Sequence, residues 1–168
     1  MNREPLRLLL AEDGEADAIL ILKALENHGY CVECERVMTA AAFETALSSG
    51  EFDMILCDYV MPCFGALEAI GILQRNNLDI PLIIVSGTIG ESAAVEAMRG
   101  GACDYLLKGD LSRLGAAVER ELRDADIRRQ THCPDECARS NEVRYLEQRN
   151  ALIALTRETQ LVNLSLEE

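Results

Sequence analysis

Five times along this chain a short apolar run is followed by a stretch whose apolar residues recur at helical spacing, and that alternation leaves few folds open. Strands that lie parallel need a long crossover between them, and a helix is the usual one. The runs fall at 6–11, 31–37, 53–57, 81–85 and 103–107. Apart from the second, which alternates with polar residues, they are apolar almost throughout, as strands buried on both faces must be. The second run is therefore expected nearest an edge. The helical stretches fall at 15–27, 39–49, 67–76, 91–99 and 110–128. Thr39 stands where an N-cap belongs, and Asp110-Leu111-Ser112 places a carboxylate at the start of the fifth helix. Gly29, Gly50 and Gly100-Gly101 stand at or near the helix stops. Leu111, Leu114, Val118, Leu122 and Ala125 give the fifth helix one apolar face. The expectation is an α/β domain over 1–128, a doubly wound, five-stranded parallel sheet.

Beyond Arg129 the pattern breaks around Pro134, which cannot sit inside a helix, and resumes over 136–166. Residues 129–168 are too few for a second core and are expected to form a helical extension. Val143, Leu146, Ile153 and Leu164 would be poorly stable if left in water, so they are expected to pack on another copy of the chain or on the fifth helix, most simply as a homodimer with Asn150 at the seam fixing register. No stretch approaches the roughly 18 apolar residues of a membrane span, and the N-terminus lacks a signal-peptide layout, so a cytoplasmic protein with no membrane partner is expected. A net charge of −13, with basic residues scattered among carboxylates, disfavours nucleic acid as a partner.

Seven cysteines raise the question of disulfides or metal. Cys31 and Cys34 have C-x-x-C spacing, but in a strand residues i and i+3 point to opposite faces. His132, Cys133 and Cys137 offer three ligands where a closed structural zinc site takes four. Free thiols in a reducing compartment are the simpler reading.

In a doubly wound sheet, reactive groups gather at the carboxyl ends of the strands. Glu12 and Asp13 follow the first strand, Asp58 the third, Ser86 the fourth and Lys108 the fifth. Any one of them alone would pass for a turn cap or a surface charge. Together they place three carboxylates, a hydroxyl and an ammonium in one pocket. Clustered carboxylates repel each other unless a cation sits among them, and an all-oxygen site with few protein ligands suits Mg²⁺. Such a site can also neutralise a phosphoryl group, whose transfer depends mainly on positioning and electrostatics. Asp58 is the candidate nucleophile, forming an acyl phosphate. Lys108 and the Ser86 hydroxyl are candidates to hold phosphoryl oxygens.

With these residues on view, the first 128 positions resemble the receiver domain of response regulators in two-component signalling. Leu8-Leu9-Leu10-Ala11-Glu12-Asp13 is similar to that family's first strand and acidic pair, and Asp58-Tyr59-Val60-Met61-Pro62 to its phospho-acceptor motif. Ser86-Gly87 falls at its Ser/Thr position, and Gly101-Ala102-Cys103-Asp104-Tyr105-Leu106-Leu107-Lys108 resembles its fifth-strand motif. The resemblance implies a flavodoxin-like (βα)5 receiver fold. It also implies Mg²⁺ held by Glu12, Asp13, Asp58 and the backbone carbonyl of Val60, and a switch pair of Ser86 and Tyr105. It implies a phosphoryl group taken from a histidine kinase or histidine phosphotransfer protein, and a signal passed to a downstream output module or protein. The only catalysis implied is of the domain's own phosphorylation and dephosphorylation, so the chain is not an enzyme in the ordinary sense. The tail resembles the helices that link receivers to sensor or output modules. Two departures stand out: Gly109 follows Lys108 where the family usually has a cis proline, and Gly65-Ala66 inverts the usual order at the start of the third helix.

Other readings fit less well. A flavodoxin cradles phosphate with hydroxyls and amides after its first strand, where Glu12-Asp13 would repel it. A haloacid-dehalogenase phosphatase needs a second carboxylate two residues after its nucleophile, and Val60 stands there. The remaining alternative is a receiver fold used for partner binding or dimerisation, with phosphorylation incidental.

Overall fold

The computed structural model describes residues 5–87 and 90–131. The sequence expectations for residues 132–168, including the dimerising helix and its Asn150 seam, lie outside them. So do His132, Cys133 and Cys137.

Five strands form one parallel sheet: β1 (Leu6–Ala11), β2 (Val32–Val37), β3 (Met54–Cys57), β6 (Leu82–Ser86) and β7 (Asp104–Leu107). Their order is β2-β1-β3-β6-β7, with every pairing parallel. The polar second strand is an edge strand, as its alternation required. The helices are α1 (Glu15–Asn27), α2 (Ala40–Ser49), α3 (Ala66–Arg75), α4 (Glu91–Gly100) and α5 (Leu114–Thr131). Side chains alternate across each strand, so Leu6, Leu8 and Leu10 of β1, Met54 and Leu56 of β3, and Ile83 and Val85 of β6 share one face. They pack on Ala18, Ile21 and Leu25 of α1 and on Leu114, Ala117 and Val118 of α5. The alternate residues Leu9, Ile55, Cys57 and Ile84 are equally buried, so the sheet is covered on both sides. Each large aliphatic side chain removed from water contributes roughly 1.5–3 kcal/mol, which is why the central strands tolerate almost no polar residue.

Several boundaries move by a residue or two for local reasons. Thr39 is the N-cap of α2, its hydroxyl accepting from the Ala42 N–H at 3.2 Å. Gly101 ends α4 in the left-handed conformation at φ 119°, where a side chain would be strained. The fifth helix corrects the expectation most. Asp110 caps a 3₁₀ turn, Leu111–Arg113, by accepting from the Ser112 N–H at 3.2 Å, and the α-helix proper begins only at Leu114. A two-strand hairpin, β4 (Val60–Met61) with β5 (Phe64–Gly65), was not foreseen, because two-residue strands leave no periodicity to read. α3 follows directly, with Gly65 as its N-cap. A Cβ at Gly65 would lie 3.0 Å from the Tyr59 carbonyl, which also accepts the Ala66 N–H at 3.2 Å. The Gly65-Ala66 order thus suits this tight approach. No peptide bond among the described residues is cis, so Lys108–Gly109 is trans.

Cys31 and Cys34 are free and exposed, in keeping with the simpler reading of the thiols. No helix among the described residues is long and apolar enough to cross a membrane.

At the amino ends of the strands, Arg7 of β1 clasps the loop before β3. Its Nη2 donates to Asp53 Oδ1 at 2.7 Å, its Nε to Oδ2 at 3.2 Å, and its Nη1 to Glu51 at 2.8 Å. Burial alone would raise the Asp53 carboxyl, but the hydrogen bonds from Arg7 outweigh it and hold the group below the ordinary carboxylate range. A depressed folded value contributes stability that is present above the unfolded pKa of about 3.9 and is lost as pH falls through the folded one. An Asp53→Asn chain should therefore lose stability at neutral pH and show a flatter acid limb. Urea unfolding across the acid range checks this; curves parallel to those of the unaltered chain would make the clasp energetically silent.

Candidate functional site

The site stands at the carboxyl end of the sheet, and strand register builds it. β1 ends at Ala11, so Glu12 and Asp13 emerge beside the end of β3, whose pairing with β1 aligns Ala11 with Cys57. The next residue, Asp58, is tied down by its N–H, which donates to the Ala11 carbonyl at 2.9 Å. Glu12, Asp13 and Asp58 each bring a carboxylate oxygen within 4.8 Å of the others'. On the other side β6 and β7 end in register, Ser86 opposite Leu107, and the Lys108 N–H donates to the Ser86 carbonyl at 2.8 Å. That bond fixes the base of the Lys108 side chain, which turns inward over the carboxylates.

Lys108 Nζ lies 2.7 Å from Asp58 Oδ2, 2.8 Å from Glu12 Oε2 and 2.9 Å from Asp17 Oδ2. Its side chain is only 14 % exposed. Burial by itself would lower the ammonium's pKa, but its close carboxylate partners, Asp58 first and then Glu12 and Asp17, prevail and raise it above the ordinary lysine value.

Glu12 is almost fully buried. Burial pushes its carboxyl above the usual range and Asp58 adds to that, against the pull of Lys108 and of the Gly14 N–H, which donates to Oε1 at 2.9 Å. The other oxygen, Oε2, is near Lys108 but has no aligned donor, so the contact is an ion pair and the lone pairs of a buried oxygen are left without a directed partner. That oxygen faces the Lys108 ammonium at 2.8 Å without a directed hydrogen bond. The donor set of three carboxylates whose oxygens lie within 4.8 Å of one another fits a hard divalent cation. The residues present therefore suit Mg²⁺.

Ser86 is buried at the tip of β6. Tyr105, on β7, is half-buried, and its ring meets that of Tyr59 edge-on, with centroids 6.3 Å apart. The Tyr59 hydroxyl donates in turn to Glu96 of α4 at 3.4 Å. Burial, then the Glu96 charge, pushes this phenol up. Val60 starts the hairpin; its side chain is 70 % exposed, and its N–H donates to Asp58 Oδ1 at 3.4 Å. Beneath Asp58, burial keeps the Cys57 thiol far from ionising, with the Asp58 charge acting the same way.

The expected residues are thus gathered at one end of the sheet. Sequence reasoning missed Asp17, which touches Lys108 from the first turn of α1. A carboxylate there reads simply as a favourable charge at a helix start.

Comparison with known proteins agrees with this architecture. The family model described as the response regulator receiver domain matches residues 8–119. The transcriptional regulatory protein TctD of Salmonella typhimurium is 31% identical over 119 residues, covering 70% of this chain and 52% of that protein. The DNA-binding transcriptional regulator NtrC of Rhizobium meliloti is 29% identical over 118 residues, covering 70% of this chain and 24% of its own length. The chain thus spans about a quarter to a half of these curated relatives. Among solved structures, a CheY-like response regulator receiver domain protein from Methanospirillum hungatei superposes with a TM-score of 0.62 at 22% identity, covering 73% of this chain and 98% of that one. The receiver domain of the Francisella response regulator 1452 gives the same TM-score and identity, covering 71% and 98%. The family match spans most of the sheet, from β1 into α5, and takes in every strand that contributes to the carboxylate pocket: the chain belongs to the response regulator receiver family.

Proposed function

We propose that Asp58 accepts a phosphoryl group from a histidine kinase or a histidine phosphotransfer protein, and that the resulting change is passed to an output module or partner protein. The observation that carries this reading is the buried lysine set among carboxylates from two strand ends, 2.7 Å from Asp58 and 2.8 Å from Glu12. Glu12, Asp13, Asp58 and the Val60 carbonyl would hold Mg²⁺, which when bound supplies positive charge to the carboxylates and to phosphoryl oxygens. Asp58 Oδ2 is the attacking atom, and the Val60 N–H orients the carboxylate through Oδ1. Lys108 hands a hydrogen bond from Asp58 to a phosphoryl oxygen, offsetting the charge that arrives. Ser86 donates to another oxygen, and Tyr105 moves into the space released, breaking its edge contact with Tyr59. The domain is a switch and turns over no external product.

The names of the relatives describe regulators of transcription, but with a net charge of −13 this chain is proposed to signal through protein contacts and not by binding nucleic acid itself. A cytoplasmic setting and a helical, dimerising role for residues 129–168 complete the proposal. An interaction module indifferent to phosphate would have no use for three carboxylates gathered around a buried lysine at the strand ends.

The test is intact-mass measurement after incubation with a small acyl phosphate. One phosphoryl group should be gained with Mg²⁺ present and none in excess chelator. An unphosphorylated chain in both conditions would refute the reading, and an equal gain in both would remove the metal from it.

A further inference from the structure

Asp17 belongs to no part of the machinery described so far, yet it holds one of the three donors of Lys108, at 2.9 Å. Its place on α1 explains how it gets there. It is the third residue of the helix, where a carboxylate commonly turns back to accept the backbone N–H of the N-cap residue. Here the N-cap is Gly14, and its N–H is already taken by Glu12 Oε1. Asp17 is thereby released to reach over the pocket. The space it crosses is free because position 14 has no side chain: a Cβ there would stand 3.2 Å from Asp17 Oδ2 and 3.1 Å from Glu12 Oε1. The Gly14 backbone is extended at φ −79°, ψ 113°, so room, not an unusual dihedral, is what a glycine supplies here.

The ammonium of Lys108 is thus divided among Asp58, Glu12 and Asp17, and an incoming phosphoryl oxygen must displace one of them. Resting on the phospho-acceptor reading above, we infer that Asp17 is a positioning residue that restrains phosphorylation: it withholds part of Lys108 from the phosphoryl group and adds a fixed negative charge beside the place where that group is built. In transfer from an acyl phosphate, a bond forms between Asp58 Oδ2 and phosphorus while the donor's phosphorus–oxygen bond breaks, and the electron pair leaves with the donor's carboxylate. No proton is consumed. The charge on Asp58's side chain becomes more negative in this step. Asp17, bonded to the same Nζ as Asp58, can lie no farther from Asp58 Oδ2 than the two bond distances laid end to end, well inside the range of an unscreened charge.

Asp17→Asn is the informative change, because the amide keeps an acceptor for Lys108 and deletes only the charge. The unaltered chain and the variant are compared for initial rate of phosphoryl gain, by intact mass, from an acyl phosphate in Mg²⁺. The variant should be faster by on the order of three- to tenfold at low ionic strength, and the ratio should shrink as salt rises, since it is electrostatic. With a phosphoramidate donor, which carries less negative charge, the ratio should also be smaller. Asp17→Ala should shift the rate the same way, so the outcome does not depend on one variant folding well. In metal-free protein, Asp17→Asn should move the NMR resonances of the Lys108 side-chain methylenes, a readout that needs no phosphorylation. A variant that is slower than or equal to the unaltered chain, or a ratio indifferent to salt, overturns the inference and makes Asp17 a simple anchor for Lys108. If the unaltered chain gains no phosphoryl group at all, it is the phospho-acceptor reading that fails, and this inference falls with it.

Discussion

A chain carrying Asp58→Asn will gain no phosphoryl group under conditions that load the unaltered chain, a fall of at least about 10³-fold, the scale on which a lost nucleophile is felt. The amide has nearly the carboxylate's shape and its oxygen can still accept from the Val60 N–H, so geometry is preserved while the attacking charge disappears. Folding should barely suffer. Lys108 keeps Glu12 and Asp17, and one of three mutually repelling carboxylates is neutralised, so metal-free stability should stay within about 1 kcal/mol. The two readouts separate function from fold: intact mass for phosphate, chemical denaturation for stability. Undiminished phosphoryl gain in the variant would move the nucleophile to a neighbouring carboxylate, Asp13 or Glu12. Loss of phosphate accompanied by unfolding would leave Asp58 without a demonstrated chemical role.

The second large effect is expected far from that pocket, where Arg120 of α5 joins two buried carboxylates. Its Nη2 lies 2.5 Å from Asp104 Oδ2, at the start of β7, and its Nε 2.9 Å from Glu121 Oε1. Glu121 is completely buried and Asp104 nearly so, while the arginine is 42 % exposed. Removing one member of a buried ion pair typically costs 3–5 kcal/mol, because the remaining charge has lost both water and partner. The partial exposure of Arg120 lets water in and reduces that, so Arg120→Met should cost about 2–3 kcal/mol. Neutralising the acids in the same background, with Asp104→Asn and Glu121→Gln, should restore much of the loss, since amides do not call for a cation. Equilibrium denaturation of the single and triple variants checks both statements. A single variant within about 0.5 kcal/mol of the parent would reduce the arrangement to a surface contact.

This cluster also shows where sequence reading stops. The sheet was legible because its strands are buried on both sides, and burial on both sides leaves a composition that only a few residues deep in polarity can mimic. Even the edge position of β2 followed from its alternation. On α5 the same logic recovered Leu114, Val118 and Ala125 as inward-facing, but it assigns every glutamate to water, and Glu121 is buried as deeply as they are. An ion pair with Arg120 helps to make that burial tolerable. The site divides in the same way. Glu12, Asp13, Asp58, Ser86 and Lys108 were legible because each ends a strand and the topology fixes where strand ends meet. Asp17 was not, because its role depends on Gly14 surrendering its N–H to Glu12, a local competition that no spacing rule records. The hairpin at Val60–Met61 and Phe64–Gly65 was invisible for want of length.

The sheet order has a consequence for how the molecule comes into being on the ribosome. β1 and β3 are neighbours and both are made early, so Glu12, Asp13 and Asp58 can be brought side by side when less than half of the described chain has emerged. Lys108, which pairs with two of them, follows β7, the last strand, and that strand joins the sheet only through β6. Until it has been made, the three neighbouring carboxylates lack the cation that pairs with two of them. β7 brings that cation together with the sheet's last row of backbone hydrogen bonds, along β6. The charge balance of the pocket is therefore completed only by the last strand to be made.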